Sequence, residues 1–253
     1  MKNLIKLLKE LKSIGITAVK QSLEDEGAGF EDIMHMRKIT KKSKLKLNVK
    51  IGGCEAKNDI FFCQSIGVDG IVAPMVESSY ALKKFIQTVS NNYKSDLYIN
   101  LESKKSFNNL NEIIQTKQFK KLKGVVVGRS DLAGSLGLSK SEVNSKKIYN
   151  IVNKSLKKIK KYKKLVKMGG SVTHKSRDFI YKLFTNKLIH RVETRNLEIN
   201  LNIKNIDNLE NLIKKIFLFE MNWLKYKNSN FKKNKFLKQD NIRRIKELKK
   251  RLR

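Results

Sequence analysis

The sequence is short of proline, cysteine, aromatic residues and acid. Its 253 residues include one proline, two cysteines and 8% aromatics, and 23 Asp+Glu stand against 56 Lys+Arg, a formal charge of +33. Charged residues interrupt every apolar run, as Asp69 interrupts Phe61 to Val76, so none reaches the roughly 18 residues a membrane-spanning helix needs. The opening MKNLIKLLKELKSIG carries charges inside its apolar stripe and no small-residue cleavage site, which argues against a secretory signal. Cys54 and Cys63 cannot make a disulfide scaffold and lack partners at zinc-ligand spacing; they read as small hydrophobes in a reducing compartment. The expectation is a cytoplasmic protein with no membrane partner. At 40% hydrophobic the chain can still fill one core of ordinary domain size.

So large a positive charge invites a polyanion, because lysine releases counterions from phosphate backbones. The lysines, however, are spread along the whole chain among asparagine and isoleucine, a pattern of compositional drift rather than of a dedicated patch. The densest runs, Lys154 to Lys167 and Lys232 to Arg253, carry no nucleic-acid signature. Specific nucleic-acid binding is therefore not expected, and a polyanion-binding protein stays as an alternative.

Short β-branched runs alternate with amphipathic stretches, the signature of βα units around a parallel sheet. Strands are expected at Ile16–Ser22, Leu45–Ile51, Gly70–Met75, Leu97–Leu101, Gly124–Val127, Leu165–Met168 and Ile189–Val192. Helices are expected at Leu4–Ile14, Glu31–Lys42, Lys57–Ile66, Tyr80–Ser90, Asn109–Thr116, Ile148–Tyr162 and Ser176–Asn186. That is one strand short of a closed eight-stranded barrel. Beyond Asn196 only helices are expected, at Leu209–Leu224 and Asp240–Leu252. The fold class is thus α/β, a (β/α)8 TIM-barrel-like domain over residues 1–200 with its first strand lacking or distorted, followed by a basic helical extension over 201–253.

In such barrels chemistry gathers at the C-terminal ends of the strands. There this acid-poor chain places Glu24, Asp25 and Glu26, then Glu77, Glu102, Asp131 and Glu193, alongside Lys50, Arg129, Ser130, Lys167 and Arg195. Two phrases, INLESKKSFNNLNEI (Ile99 to Ile113) and GVVVGRSDLAGSLG (Gly124 to Gly137), resemble the HpcH/HpaI aldolase and citrate lyase family of the phosphoenolpyruvate/pyruvate barrels. IGVDGIVAPMVES (Ile66 to Ser78) and KIGGCEA (Lys50 to Ala56) look like two further strands of that family, collinear from about Ile16 to Asn196.

The resemblance implies cleavage or formation of a carbon–carbon bond in a 2-oxo acid or related carboxylate, through an enolate stabilised by Mg²⁺ or Mn²⁺. It places the metal on Glu102 and Asp131 and the substrate on Lys50 and the Gly128 to Asp131 backbone, with Gly128 and Ser130 at its core. Arg129 is expected to act on the substrate, compensating for Lys50 where the family's aldolases carry an arginine. The family's basic histidine is matched by Gly27, which leaves Glu26, and after it Asp25, as the candidate for proton transfer. A second reading is a barrel that lost the base and now only binds a carboxylate. Lys20, Lys50 and Lys167 also open a Schiff-base route, against which stands the bland reading of paired or solvated lysines. Family habit and the stripe Ile213, Ile216, Phe217, Phe219, Trp223 and Leu224 suggest a homo-oligomer.

Overall fold

Along the strands apolar residues point outward to a helical layer and polar ones point inward. The computed structural model describes residues 1–24, 27–89, 94–231 and 235–252. Asp25, Glu26, the end of the helix expected over Tyr80–Ser90, and parts of the basic run from Lys232 lie outside the described residues.

Helix α1 (Lys2–Ser13) leads into β1 (Ile16–Ser22), and α2 (Phe30–Ser43) into β2 (Lys46–Lys50). Then come α3 (Lys57–Ser65), β3 (Gly70–Ala73), α4 (Ser79–Thr88) and β4 (Asp96–Leu101). Three short helices, α5 (Lys104–Asn108), α6 (Leu110–Gln115) and α7 (Lys117–Lys121), bridge to β5 (Gly124–Gly128). Helices α8 (Arg129–Ser135) and α9 (Lys146–Lys160) precede β6 (Leu165–Gly169), and α10 (Arg177–Thr185) precedes β7 (Arg191–Glu193). After β8 (Leu197–Asn200) the chain ends in α11 (Ile203–Asp207), α12 (Leu209–Asn230) and α13 (Lys235–Leu252).

The eight strands close a barrel in the order β1 to β8. Seven run parallel; β8 is antiparallel to both β7 and β1. The eighth strand therefore follows the seventh through the tight turn at 194–196, and does not precede α1. This corrects the expectation that no strand lies beyond Asn196. Leu197 and Ile199 face the helices, while Glu198 between them faces the barrel axis, so the alternation is too short and too charged to stand out.

The outward face is one continuous apolar layer between strands and helices, with Leu8, Ile33, Val49, Ile71, Phe85, Ile99, Val125, Met168 and Val192 at its centre. Inside the barrel a small second cluster, Val72, Tyr98 and Val126 with Leu165, fills the lower half. Beside it lies a charged knot. Glu198 accepts from Asn48 Nδ2 at 3.1 Å and Thr17 Oγ1 at 3.0 Å, and meets Lys167 Nζ and Arg191 Nη1, each at 2.5 Å. Lys167 Nζ also sits 3.6 Å above the Tyr98 ring. Burial pushes the Glu198 carboxyl up, but Lys167 and Arg191 outweigh that and hold it below the usual carboxylate range.

The C-terminal helices fold back on the barrel. Trp223 of α12 is buried and donates from Nε1 to Gln21 Oε1 of β1 at 3.2 Å, and α13 is tied to α12 by Arg244 Nε, 2.7 Å from Glu220 Oε1. The whole stripe from Ile213 to Leu224 is buried within this one chain. It is thus occupied by intrachain packing, and the stripe itself gives no support for a homo-oligomer. Among the described residues no helix is long and apolar enough to cross a membrane.

Two outcomes follow. Glu198→Ala strands the fully buried Lys167 and leaves the partly exposed Arg191 unpaired, and is expected to cost about 3 kcal/mol at neutral pH. Because the folded carboxyl titrates below its unfolded value, the wild-type advantage is lost as pH falls through that depressed value, and urea titrations at neutral and acid pH check both points. Burial raises the Cys54 thiol to about 11 and that of Cys63 to about 12, so iodoacetamide should label the native protein slowly at mildly alkaline pH and both thiols after unfolding.

Candidate active site

Above the charged knot, at the C-terminal ends of the strands, a cavity of about 300 Å³ opens. Its shape comes from where the strands carry no side chain. Register pairs Leu101 with Val127, Val127 with Met168 and Met168 with Val192, so Glu102, Gly128, Gly169 and Glu193 follow side by side on β4 to β7. A Cβ on Gly128 would lie 2.7 Å from Glu102 Oε2, and one on Gly169 would lie 3.2 Å from Glu193 Cγ. Two glycines thus form the floor over which two glutamates lean from either side.

Glu102 is buried. Its Oε1 accepts from the Met75 backbone N–H at 3.0 Å and its Oε2 from Asn100 Nδ2 at 2.9 Å. Met75 adopts φ +49°, an uncommon backbone conformation for a side-chain-bearing residue, and thereby turns its N–H toward the carboxylate. Burial, and secondarily the nearby Asp131 carboxylate, push the Glu102 carboxyl above its ordinary range, against the Lys50 ammonium and the Met75 N–H. Lys50, Asn100, Ser130 and Asp131 line the same cavity.

This donor set fits a hard divalent cation. Two carboxylates in an all-oxygen corner meet the preference of such an ion for few protein ligands plus water or substrate oxygens. The Asn100 Oδ1 atom beside them is buried and, among the described residues, has no hydrogen-bond partner. Lys50 balances one of the two negative charges, so the corner has charge left for a cation. No group of three or more His, Cys, Asp and Glu side chains with metal-site geometry occurs among the described residues.

Arg129 is placed elsewhere than expected. Its guanidinium is fully buried and faces away from the cavity, donating to Gly169 O at 3.2 Å, Gly170 O at 2.9 Å, Asn144 Oδ1 at 2.5 Å and Ser176 Oγ at 3.3 Å. The Phe179 ring packs on it, 4.9 Å from the centroid, and burial lowers its pKa to about 10, which leaves it charged at neutral pH. It cannot touch a substrate in this arrangement; it pins the β6 loop to the start of α8. Gly170, at φ +80°, completes that junction, because a Cβ there would lie 2.4 Å from Ser130 N and 2.5 Å from Arg129 N. Ser130 Oγ and Ser171 Oγ join the two loops at 2.9 Å.

Of the other expected residues, Lys50, Gly128, Ser130, Glu102 and Asp131 converge on the cavity, and Glu26 lies outside the described residues. Lys20 and Lys50 line it, whereas Lys167 lies below in the charged knot. None of the three histidines is there: His35 meets Tyr226 and Phe231, His190 accepts from Val166 N, and His174 opens a 3₁₀ turn. Sequence reasoning missed Arg244 and Arg251, which α13 brings to the rim beside Lys140 and Arg195. Their only signal was a basic helix, one of many lysine- and arginine-rich stretches.

Replacing Gly170 by Ala should destabilise the fold by more than about 1 kcal/mol, as strain at positive φ adds to the clash with α8; thermal unfolding checks this.

Comparisons with known proteins agree with this architecture. The sequence profile of "HpcH/HpaI aldolase/citrate lyase" matches residues 32–169, a little over half of the chain. No curated protein matches the chain by sequence. Among solved structures, the HpcH/HpaI aldolase from Desulfitobacterium hafniense DCB-2 is 12% identical with TM-score 0.63, covering 77% of this chain and 82% of its own. Citrate synthase SbnG is 13% identical with TM-score 0.62, covering 75% and 81%. An HpcH/HpaI aldolase/citrate lyase family protein from Burkholderia cenocepacia J2315 is 12% identical with TM-score 0.62, covering 75% and 82%. At such identities the structural likeness speaks for the barrel alone. The profile match reaches from α2 through the Glu102 and Asp131 corner to β6, and on that ground this chain belongs to the HpcH/HpaI aldolase/citrate lyase family.

Proposed function

We propose that this protein is a lyase of its family's type that makes or breaks a carbon–carbon bond in a 2-oxo acid or related carboxylate, with Mg²⁺ or Mn²⁺ held by Glu102 and Asp131. The observation that carries this reading is the buried Glu102 carboxylate, with the solvent-exposed Asp131 carboxylate near enough to raise its pKa and the unpartnered Asn100 Oδ1 beside it. When bound, the metal supplies Lewis-acid polarisation of the substrate carbonyl.

The chain's own residues do the rest. The Met75 N–H and Asn100 Nδ2 fix the Glu102 carboxylate in one orientation, which spares it reorganisation when a ligand arrives. Lys50 attracts the substrate carboxylate as a point charge, without the forked geometry an arginine would impose. Ser130 offers a hydroxyl, and the bare Gly128 lets the substrate approach the backbone. Arg129 acts indirectly, holding the Gly169–Gly170 carbonyls so that the floor keeps its shape.

Calorimetry with Mn²⁺, alone and with oxalate as an enolate mimic, tests the reading. Oxalate should tighten Mn²⁺ binding to the wild type, and Asp131→Asn should weaken it by at least about tenfold. Failure of either ligand to bind the wild type would remove the metal-dependent reading.

A further inference from the structure

Across the glycine floor from Glu102 stands a buried carboxylate with no part in the reading above. Glu193 of β7 has a side chain only 4% exposed, and its Oε1 accepts from Lys20 Nζ of β1 at 2.9 Å. Its Oε2 has no hydrogen-bond partner among the described residues, although Glu193 lines the cavity.

Three features bear on what that oxygen does. Lys20 donates to Oε1 and fixes the position of the carboxylate. Gly128 and Gly169 put no side chain on the floor between Glu193 and Glu102, and both glutamates line the same cavity. No histidine of the chain reaches the cavity, so the imidazole base usual for such work is missing.

We propose that Glu193 is the catalytic base that exchanges a proton with the carbon next to the carbonyl of the 2-oxo acid, with Lys20 as its positioning partner. This rests on the metal-assisted reading given above. Glu193 Oε2 takes the proton from C3, the C–H electron pair becomes the C2–C3 double bond, and the C2–O π pair moves onto oxygen to give the enolate. In the condensation direction C3 bonds to the carbonyl carbon of the second substrate, whose oxygen takes the same proton back from Glu193. Charge and protons balance, and no further reactant is needed.

Two reactions separate this role from the metal site. Exchange of the pyruvate methyl hydrogens with D₂O requires a base at C3, whereas decarboxylation of oxaloacetate reaches the same enolate by losing CO₂ and needs none. With Mn²⁺, Glu193→Gln should slow pyruvate exchange, followed by proton NMR, by about 10²–10⁴-fold, and keep oxaloacetate decarboxylation within a few-fold of wild type. Calorimetry on the same variant should show Mn²⁺ and oxalate still binding, which shows the site intact. Exchange at the wild-type rate in Glu193→Gln overturns the proposal, as does a wild type that decarboxylates oxaloacetate but exchanges no pyruvate hydrogens. Parallel loss of exchange, decarboxylation and binding in the variant also overturns it, because Glu193 would then be structural. A wild type that binds neither Mn²⁺ nor oxalate brings down the metal-assisted reading itself.

Discussion

The barrel depends on one carboxylate. Glu198 reaches inward from the strand that closes the ring and meets partners from β1, β2, β6 and β7, so side chains of five strands converge on a single charge. Removing a carboxylate and a lysine from water is expensive, and their ion pair, with Arg191 as the second cation, offsets that cost. The same cost acts as a register lock. A slip of β8 by one residue would turn Glu198 toward the apolar helical layer and put Leu197 or Ile199 among the cations. Below the cavity, therefore, the interior is solid, and the site can be open above without the barrel losing its closure.

The upper half works by omission. Glycine at Gly128 and Gly169 leaves the middle of the cavity without side chains, and the rigid neighbours are held by contacts that face away from it. Arg129 shows the division of labour. A cation two residues before a candidate metal ligand looks, in the sequence, like a substrate contact; in the fold it bonds to two loop carbonyls and stacks on Phe179. The charge that faces the cavity comes instead from Lys20, Lys50 and the rim arginines.

How far the sequence could be read follows from the same physics. The outward faces of seven strands consist of apolar residues backed by amphipathic helices, and these periodic signals located β1 to β7 and all the long helices. The eighth strand escaped because its inward residue is charged, and a four-residue strand with glutamate at its second position resembles a loop. Glu102 and Asp131 were legible because a motif held them; their nearness to one another was not, since it depends on barrel closure. Glu193 at a strand end and Lys20 on a strand could each be singled out, but their pairing joins residues 173 positions apart and nothing local marks it. The apolar stripe of α12 was located correctly, but a stripe cannot say whether its partner is the same chain or another.

The antiparallel closure also sets the order in which the protein can be made. β1 is synthesised early and pairs on one side with β2, but its other edge waits for Leu197–Ile199. Until that segment leaves the ribosome, both borders of the growing sheet carry unpaired backbone groups, the arrangement most prone to wrong pairing between nascent chains.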